Sequence, residues 1–302
     1  MQQALLALEP ISMLVILALV GLLARKIGLL EDPTIKAVAK IVLNIAQPAL
    51  MIHTTQVSHT PDTVAGFLTV VISTCVILVV AQIGIFMFLK KTGHALRPLI
   101  ATLSVMPNVG YIGIPLVSAI FGQEMLLYLA AYITGFSLAQ WTIGLAMFAG
   151  FSIKSLKNLL NPIFLSAALG ATLFLLNIHL PAAVGGALSQ LSTLNTPLCM
   201  MLLGARLSNL RMSDFTDWRM WLVVVVKLAV MPLVLLLGMR VLGISGFVCT
   251  ALVMASAMPS GSNAQMLAER YDCDVAFAAK TISVSTICCI VSIPLIIFAM
   301  SI

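Results

Sequence analysis

Ten apolar runs, each close to the length that crosses a bilayer, follow one another along the chain. They fall at about residues 8–25, 37–54, 64–89, 97–121, 125–150, 159–178, 182–206, 218–239, 246–269 and 275–299. A spanning helix needs roughly 20 apolar residues, and the connections between these runs leave no room for a soluble domain. Composition agrees, with 61% hydrophobic residues, 9% charged and a mean hydropathy of +1.13, outside the range of an ordinary soluble domain. In lipid the backbone must satisfy its own hydrogen bonds. The expectation is an all-α polytopic membrane protein of ten transmembrane helices. Arg25 and Lys26 follow the first run and no small-residue cleavage site accompanies it, so it is expected to be a retained helix rather than a signal peptide.

Basic residues give the orientation. Arg25, Lys26, Lys36, Lys40, Lys90, Lys91, Arg97, Lys154, Lys157, Arg206, Arg211, Arg219, Arg270 and Lys280 flank odd-numbered loops, whereas even-numbered loops hold only Arg240. The positive-inside rule then puts the odd loops in the cytoplasm and both termini on the periplasmic or extracellular side. This bias accounts for the net charge of +6 and removes the case for nucleic-acid binding.

Other classes lose ground for want of chemistry. None of the ten acidic residues falls near the centre of a run, Glu269 coming closest, which weighs against a cation/proton exchanger. His53, His59, His94 and His179 lie at run ends or in loops, and the six cysteines lack metal-site spacing. No nucleophile, base and acid stand together, so neither an enzyme, a metal centre nor a cofactor is implied.

Two runs cannot continue as single helices. In the fourth, Met106-Pro107-Asn108-Val109-Gly110-Tyr111-Ile112-Gly113-Ile114-Pro115 sets two prolines and two glycines mid-run. Proline removes a donor and clashes with the preceding turn, and glycine admits conformations that other residues resist. The ninth holds Met258-Pro259-Ser260-Gly261-Ser262-Asn263. Both breaks share the pattern S-x-M-P, at Ser104 and Ser256, 152 residues apart; Pro10-Ile11 and Pro162-Ile163 repeat at the same distance, and Pro48 and Pro197 at 149. Five helices per half force opposite orientations. The chain therefore divides into inverted five-helix repeats, 1–153 and 154–302, with interrupted helices four and nine crossing near the midplane, the pattern of a secondary transporter.

The second half-helices are expected to start at Ile114, with Pro115 in the first turn, and at Ser262, whose S-x-x-Q spacing with Gln265 forms a capping box. Two positive helix ends of roughly half a charge each would then converge and favour an anion. Asn108, Gly110, Tyr111, Gly113, Ser260, Gly261, Ser262 and Asn263 are the candidate substrate-binding residues, and Pro107, Pro115 and Pro259 make the breaks. For Tyr111, Ser260 and Ser262 the alternative is a hydroxyl that only satisfies the break.

Asn44, Gln47, Gln82, Gln140 and Asn195 are supporting polar positions, expected chiefly in interhelical hydrogen bonds. Lys227 lies eight residues after Arg219, about 12 Å into its helix. It either neutralises the carbonyl ends of the first half-helices, attracts the anion, or snorkels to the cytoplasmic surface. Trp218 and Trp221 suit an interface, and Trp141 suits packing.

The run NVGYIGIPL followed by FG, the stretch MPSGSNAQMLAERY and the segment STICCIVSIPL resemble the auxin efflux carrier family. Its bacterial branch includes malonate and malate permease-like transporters. The resemblance covers essentially the whole chain, and Asn-x-Gly-x-x-Gly-x-Pro from Asn108 is its most specific part. It implies a ten-helix fold similar to bile acid symporters and some sodium/proton antiporters. Helices one, two, six and seven would form a scaffold, the rest would move, and Pro107, Asn108, Pro259 and Asn263 would stand at the crossing. The long central cytoplasmic loop of the long plant carriers is missing, so auxin itself is not implied. The expected function is a bacterial inner-membrane carrier of mono- or dicarboxylates with elevator-like alternating access, potential-driven export being one mode. A sodium- or proton-coupled organic-anion symporter is the alternative. The bilayer and the anion are its expected partners, and a homodimer is compatible with the reading.

Overall fold

The computed structural model describes residues 8–57, 60–89, 96–150, 161–208 and 216–301. Lys90, Lys91, His59, His94, Lys154, Lys157 and Arg211, used above, lie outside the described residues. Helix makes up 85% of the structure and no strand occurs among the described residues, so the class is all-α. The helices occupy the apolar runs. In chain order they are α1 (Leu8–Lys26), α2 (Asp32–Thr54), α3 (Pro61–Phe88), α4 (Leu96–Val105), α5 (Val109–Phe121) and α6 (Met125–Ala149). Then follow α7 (Pro162–Leu175), α8 (Ala182–Thr193), α9 (Asn195–Leu207), α10 (Trp218–Val241), α11 (Gly246–Ala257), α12 (Asn263–Arg270) and α13 (Val275–Ser301).

Five of these, α2, α3, α6, α10 and α13, are long and apolar enough to cross a membrane by length and composition. Their surfaces suit lipid. Ile72, Val76 and Val80 repeat every four residues on one face of α3, and all three are exposed, as are Val234 and Leu237 on α10.

Three of the prolines inside the runs are absorbed by widened turns. A π-helical turn at Val42–Ala46 precedes Pro48, another at Val226–Val230 precedes Pro232, and a third at Val109–Gly113 precedes Pro115. Such turns shift the register where proline withholds its donor.

The chain forms two compact units, each drawing on both halves of the sequence. One comprises residues 1–68, 110–134 and 160–210. Here α1 and α9 pack so closely that a Cβ on Gly204 would fall on the carbonyl oxygen of Ala18, and one on Gly21 on that of Met201. α7 and α8 pack on α2, Gly170 lies against Met51 and Thr55, and α5 lies against α1 and α9. Helices one, two, six and seven thus stand together, joined by the second half of the fourth run and also by the start of the third and the first part of the fifth, which the resemblance places among the moving helices.

The other unit comprises residues 69–109, 135–159 and 211–302. α10, α11 and α12 pack on α13, α11 packs also on α10, and α10, α12 and α13 pack on α4. Trp141 is buried with Leu145 and Leu267, as expected of a packing residue, and Phe148 and Tyr271 close that cluster. Asp217 starts α10 by accepting from the Arg219 amide at 2.9 Å. A side-chain hydrogen bond from Arg219 holds the Asp217 carboxyl below its ordinary range. Trp218, at 71% exposure, and Trp221 stay on the surface.

Candidate functional site

Two broken helices must settle the carbonyls and amides that the break sets free, and in the second unit they settle most of them on each other. After α4 and α11 the chain runs extended, and the two segments cross antiparallel, Pro107 opposite Ser260. The Asn108 amide donates to the Pro259 carbonyl at 2.8 Å, and the Gly261 amide to the Met106 carbonyl at 2.9 Å. Each proline sits where its missing donor is not needed. Gly261 suits this close approach, because a Cβ there would stand 3.0 Å from the Pro107 oxygen and press the two segments slightly apart. Ser260 is completely buried; its hydroxyl donates to the Leu103 carbonyl at 2.7 Å, and its amide donates to the Ser285 hydroxyl on α13 at 3.2 Å. Ser260 therefore closes the break, the structural one of the two roles open to it.

Lys227 completes the set. Its Nζ donates to the Ser256 carbonyl at 2.7 Å and to the Val105 carbonyl at 3.2 Å, the last turns of α11 and α4. The side chain is 0% exposed, so it does not snorkel; it caps both first half-helices. Their ends carry roughly half a negative charge each, which one ammonium balances.

Asn108 and Asn263 differ from their neighbours. The Asn108 backbone is engaged, yet among the described residues neither asparagine commits its side-chain amide to a hydrogen bond. Asn108 is 9% exposed and Asn263, the first residue of α12, is half-buried. A buried amide with unspent donors and an acceptor offers both to a ligand.

One expectation about this region needs correction. The capping box does not form: Ser262 is helical at φ −61°, ψ −18° with no side-chain cap, and Gln265 donates instead to Glu269 at 3.1 Å. Ser262 still directly precedes α12. In the fourth run the α-helix of the second half starts at Ile114 with Pro115 in its first turn, as expected, and a π-helical turn at Val109–Gly113 extends it backwards, carrying Gly110, Tyr111 and Gly113 inside the helix. Gly113 has right-handed φ −64°, and neither it nor Gly110 has positive φ. Gly110 lies directly against the Gln47 amide, which a Cβ there would displace.

The remaining candidates divide between the units. Gln82, fully buried in the unit of the crossing, donates to the Thr102 hydroxyl on α4 at 3.1 Å. Gln140 is equally buried with both amide atoms unpartnered, folded beside Gly144. In the other unit Gln47 is 2% exposed with its Oε1 unpartnered, and Asn195 is fully buried and accepts from the Cys199 thiol at 3.7 Å. Asn44 is exposed and donates to Lys40 in its own helix at 2.7 Å, so interhelical bonding does not apply to it. Lys40 supplies the nearest acceptor one turn back.

Sequence reasoning passed over Arg206 except as a loop charge; its guanidinium lies 5.6 Å from the centre of the Tyr111 ring. It also missed Ser285 and Thr102, ordinary hydroxyls in helices that carry many. Among the described residues no group of His, Cys, Asp or Glu is placed to hold a metal ion.

A family described as membrane transport protein matches residues 6–156 and 151–297. An uncharacterized transporter of Methanocaldococcus jannaschii is 26% identical over 296 residues, covering 92% of this chain and 94% of the relative. One from Methanothermobacter thermautotrophicus is also 26% identical, over 298 residues, 95% of this chain and 96% of its own length. The uncharacterized transporter YfdV of Escherichia coli is 22% identical over 302 residues, with 94% and 95% covered. With the apolar helices and the paired breaks, these matches make the chain a multi-pass membrane transporter belonging to the membrane transport protein family of the auxin efflux carriers.

Proposed function

We propose that the protein carries small organic anions, mono- or dicarboxylates, across a bacterial inner membrane. It does so with ten spans in two inverted repeats and with elevator-like alternating access. The observation that carries the reading is the pair of uncommitted amides, Asn108 and Asn263, beside a crossing whose buried charge is the cation Lys227. A fixed cation in the same crossing as two uncommitted side-chain amides suits an anion and disfavours a bare cation. With the interior negative, moving one net negative charge outward gains about 2.3 kcal/mol per 100 mV, which favours export.

Reconstituted vesicles test this directly. With a potassium-diffusion potential imposed and sodium and pH varied separately, a labelled dicarboxylate is expected to move down the potential without either gradient. The unpartnered amide of Gln140 and Oε1 of Gln82 favour a second reading, a coupled symporter in which glutamine oxygens receive sodium. Strict dependence on a sodium or proton gradient would establish that reading instead.

The proposed orientation has its own check. A cysteine introduced at Lys154 in a cysteine-free background is expected to resist an impermeant thiol reagent in intact cells and to react after permeabilisation. Labelling in intact cells would invert the topology.

A further inference from the structure

Lys227 does more than cap two helices, and the reason lies in what it is attached to. Its Nζ bonds carbonyls from α11 and α4 at once, and both helices belong to the crossing. Wherever the crossing moves, the ammonium moves with it. Among the described residues its charge meets no carboxylate within 4.0 Å; the ion pairs there, Arg25 with Asp32 and Arg219 with Asp217, lie at helix ends. The two helix termini supply about one partial negative charge between them, a setting that an ammonium fits. The 2.7 Å bond to Ser256 is the length of a charge-assisted contact. Helix dipoles, however, have no net charge. The buried crossing therefore carries one formal positive charge.

On the reading of this site as an anion carrier, we infer that Lys227 is the resident countercharge of the transported anion. A monocarboxylate-loaded crossing then traverses the membrane field with no net charge, whereas the empty crossing traverses it with one positive charge. A dicarboxylate leaves the loaded form with one negative charge. The net charge moved per complete cycle is still that of the anion alone. What Lys227 sets is which half of the cycle feels the potential. For a monocarboxylate it is the empty return, and interior negativity draws the empty site to the cytoplasmic face, where export begins. Lys227 is a positioning residue in this scheme, acting through the charge of the crossing without touching the anion.

Exchange isolates the loaded steps, because the empty carrier never crosses. In proteoliposomes preloaded with unlabelled anion, labelled pyruvate exchange is expected to be the same at 0 and −100 mV. Labelled malonate exchange is expected to change with potential, within the fifty-fold limit set by one charge in 100 mV. Lys227→Met should make pyruvate exchange potential-dependent, and Lys227→Arg, which keeps the charge, should restore its indifference. A merely structural lysine would alter rates in Lys227→Met but leave their response to potential unchanged. Potential-dependent pyruvate exchange in the unmodified protein, or potential-independent exchange in Lys227→Met, would overturn the countercharge. Should Lys227→Met not assemble, the pyruvate and malonate comparison in the unmodified protein decides alone. Absence of exchange for both anions would instead overturn the carboxylate reading, and the countercharge with it.

Discussion

Asn108→Ala and Asn263→Ala are each expected to weaken anion binding about ten- to a hundredfold while the protein still inserts and purifies normally. The magnitude is that of one hydrogen bond to a charged partner, roughly 1.5–3 kcal/mol, converted at about 1.4 kcal/mol per tenfold. The normal assembly follows from the structure: among the described residues neither side-chain amide holds a neighbour, so truncation leaves none of those groups unpaired. Ser260 provides the contrast. Removing its hydroxyl orphans the Leu103 carbonyl, so Ser260→Ala should lower stability as well as transport. Binding measured by thermal shift or calorimetry against a panel of carboxylates decides the matter. Unchanged affinity in both well-assembled asparagine variants would leave the amides without a role in recognition.

Gly204→Ala is expected to lower the thermal unfolding midpoint, and Gly238→Ala to raise it. Both glycines lie inside helices, where alanine ordinarily gains up to about 1 kcal/mol. At Gly238 a Cβ meets nothing within 4 Å, so that gain is realised. At Gly204 it meets the Ala18 backbone, which cannot rotate aside, and α1 must move off α9 at a cost of about 1–3 kcal/mol or more. Gly204→Leu should prevent the first compact unit from assembling. Equal shifts of the same sign at the two positions in detergent would show that the α1–α9 approach is looser than described.

Much of this architecture was legible because lipid leaves few choices. The apolar runs placed the helices to within a few residues, and proline marked both breaks. The errors were local. Pro115 marked the α-helical start at Ile114, but not the π-helical turn that extends the helix back to Val109, because such a turn accepts proline without ending the helix. Ser262 and Gln265 had the spacing of a capping box, yet Glu269 offered the glutamine a nearer partner one turn on. Three outcomes for Lys227 stayed open because its acceptors, Val105 and Ser256, lie 122 and 29 residues away, and spacing alone does not bring such groups together. Arg206 and Tyr111 meet for the same reason without a sequence signal.

The hydrogen-bonded crossing also has a history within each molecule. Met106 and Asn108 find their partners at Gly261 and Pro259, about 150 residues later in synthesis. At ~5–20 residues per second, the first half waits roughly 8–30 s for the second. During that interval the Leu103, Val105 and Met106 carbonyls and the Asn108 amide lack the partners they hold in the finished protein, in a solvent that supplies none. The amino-terminal half therefore reaches its native form only when the carboxy-terminal half completes it, so biogenesis joins two halves that cannot mature independently.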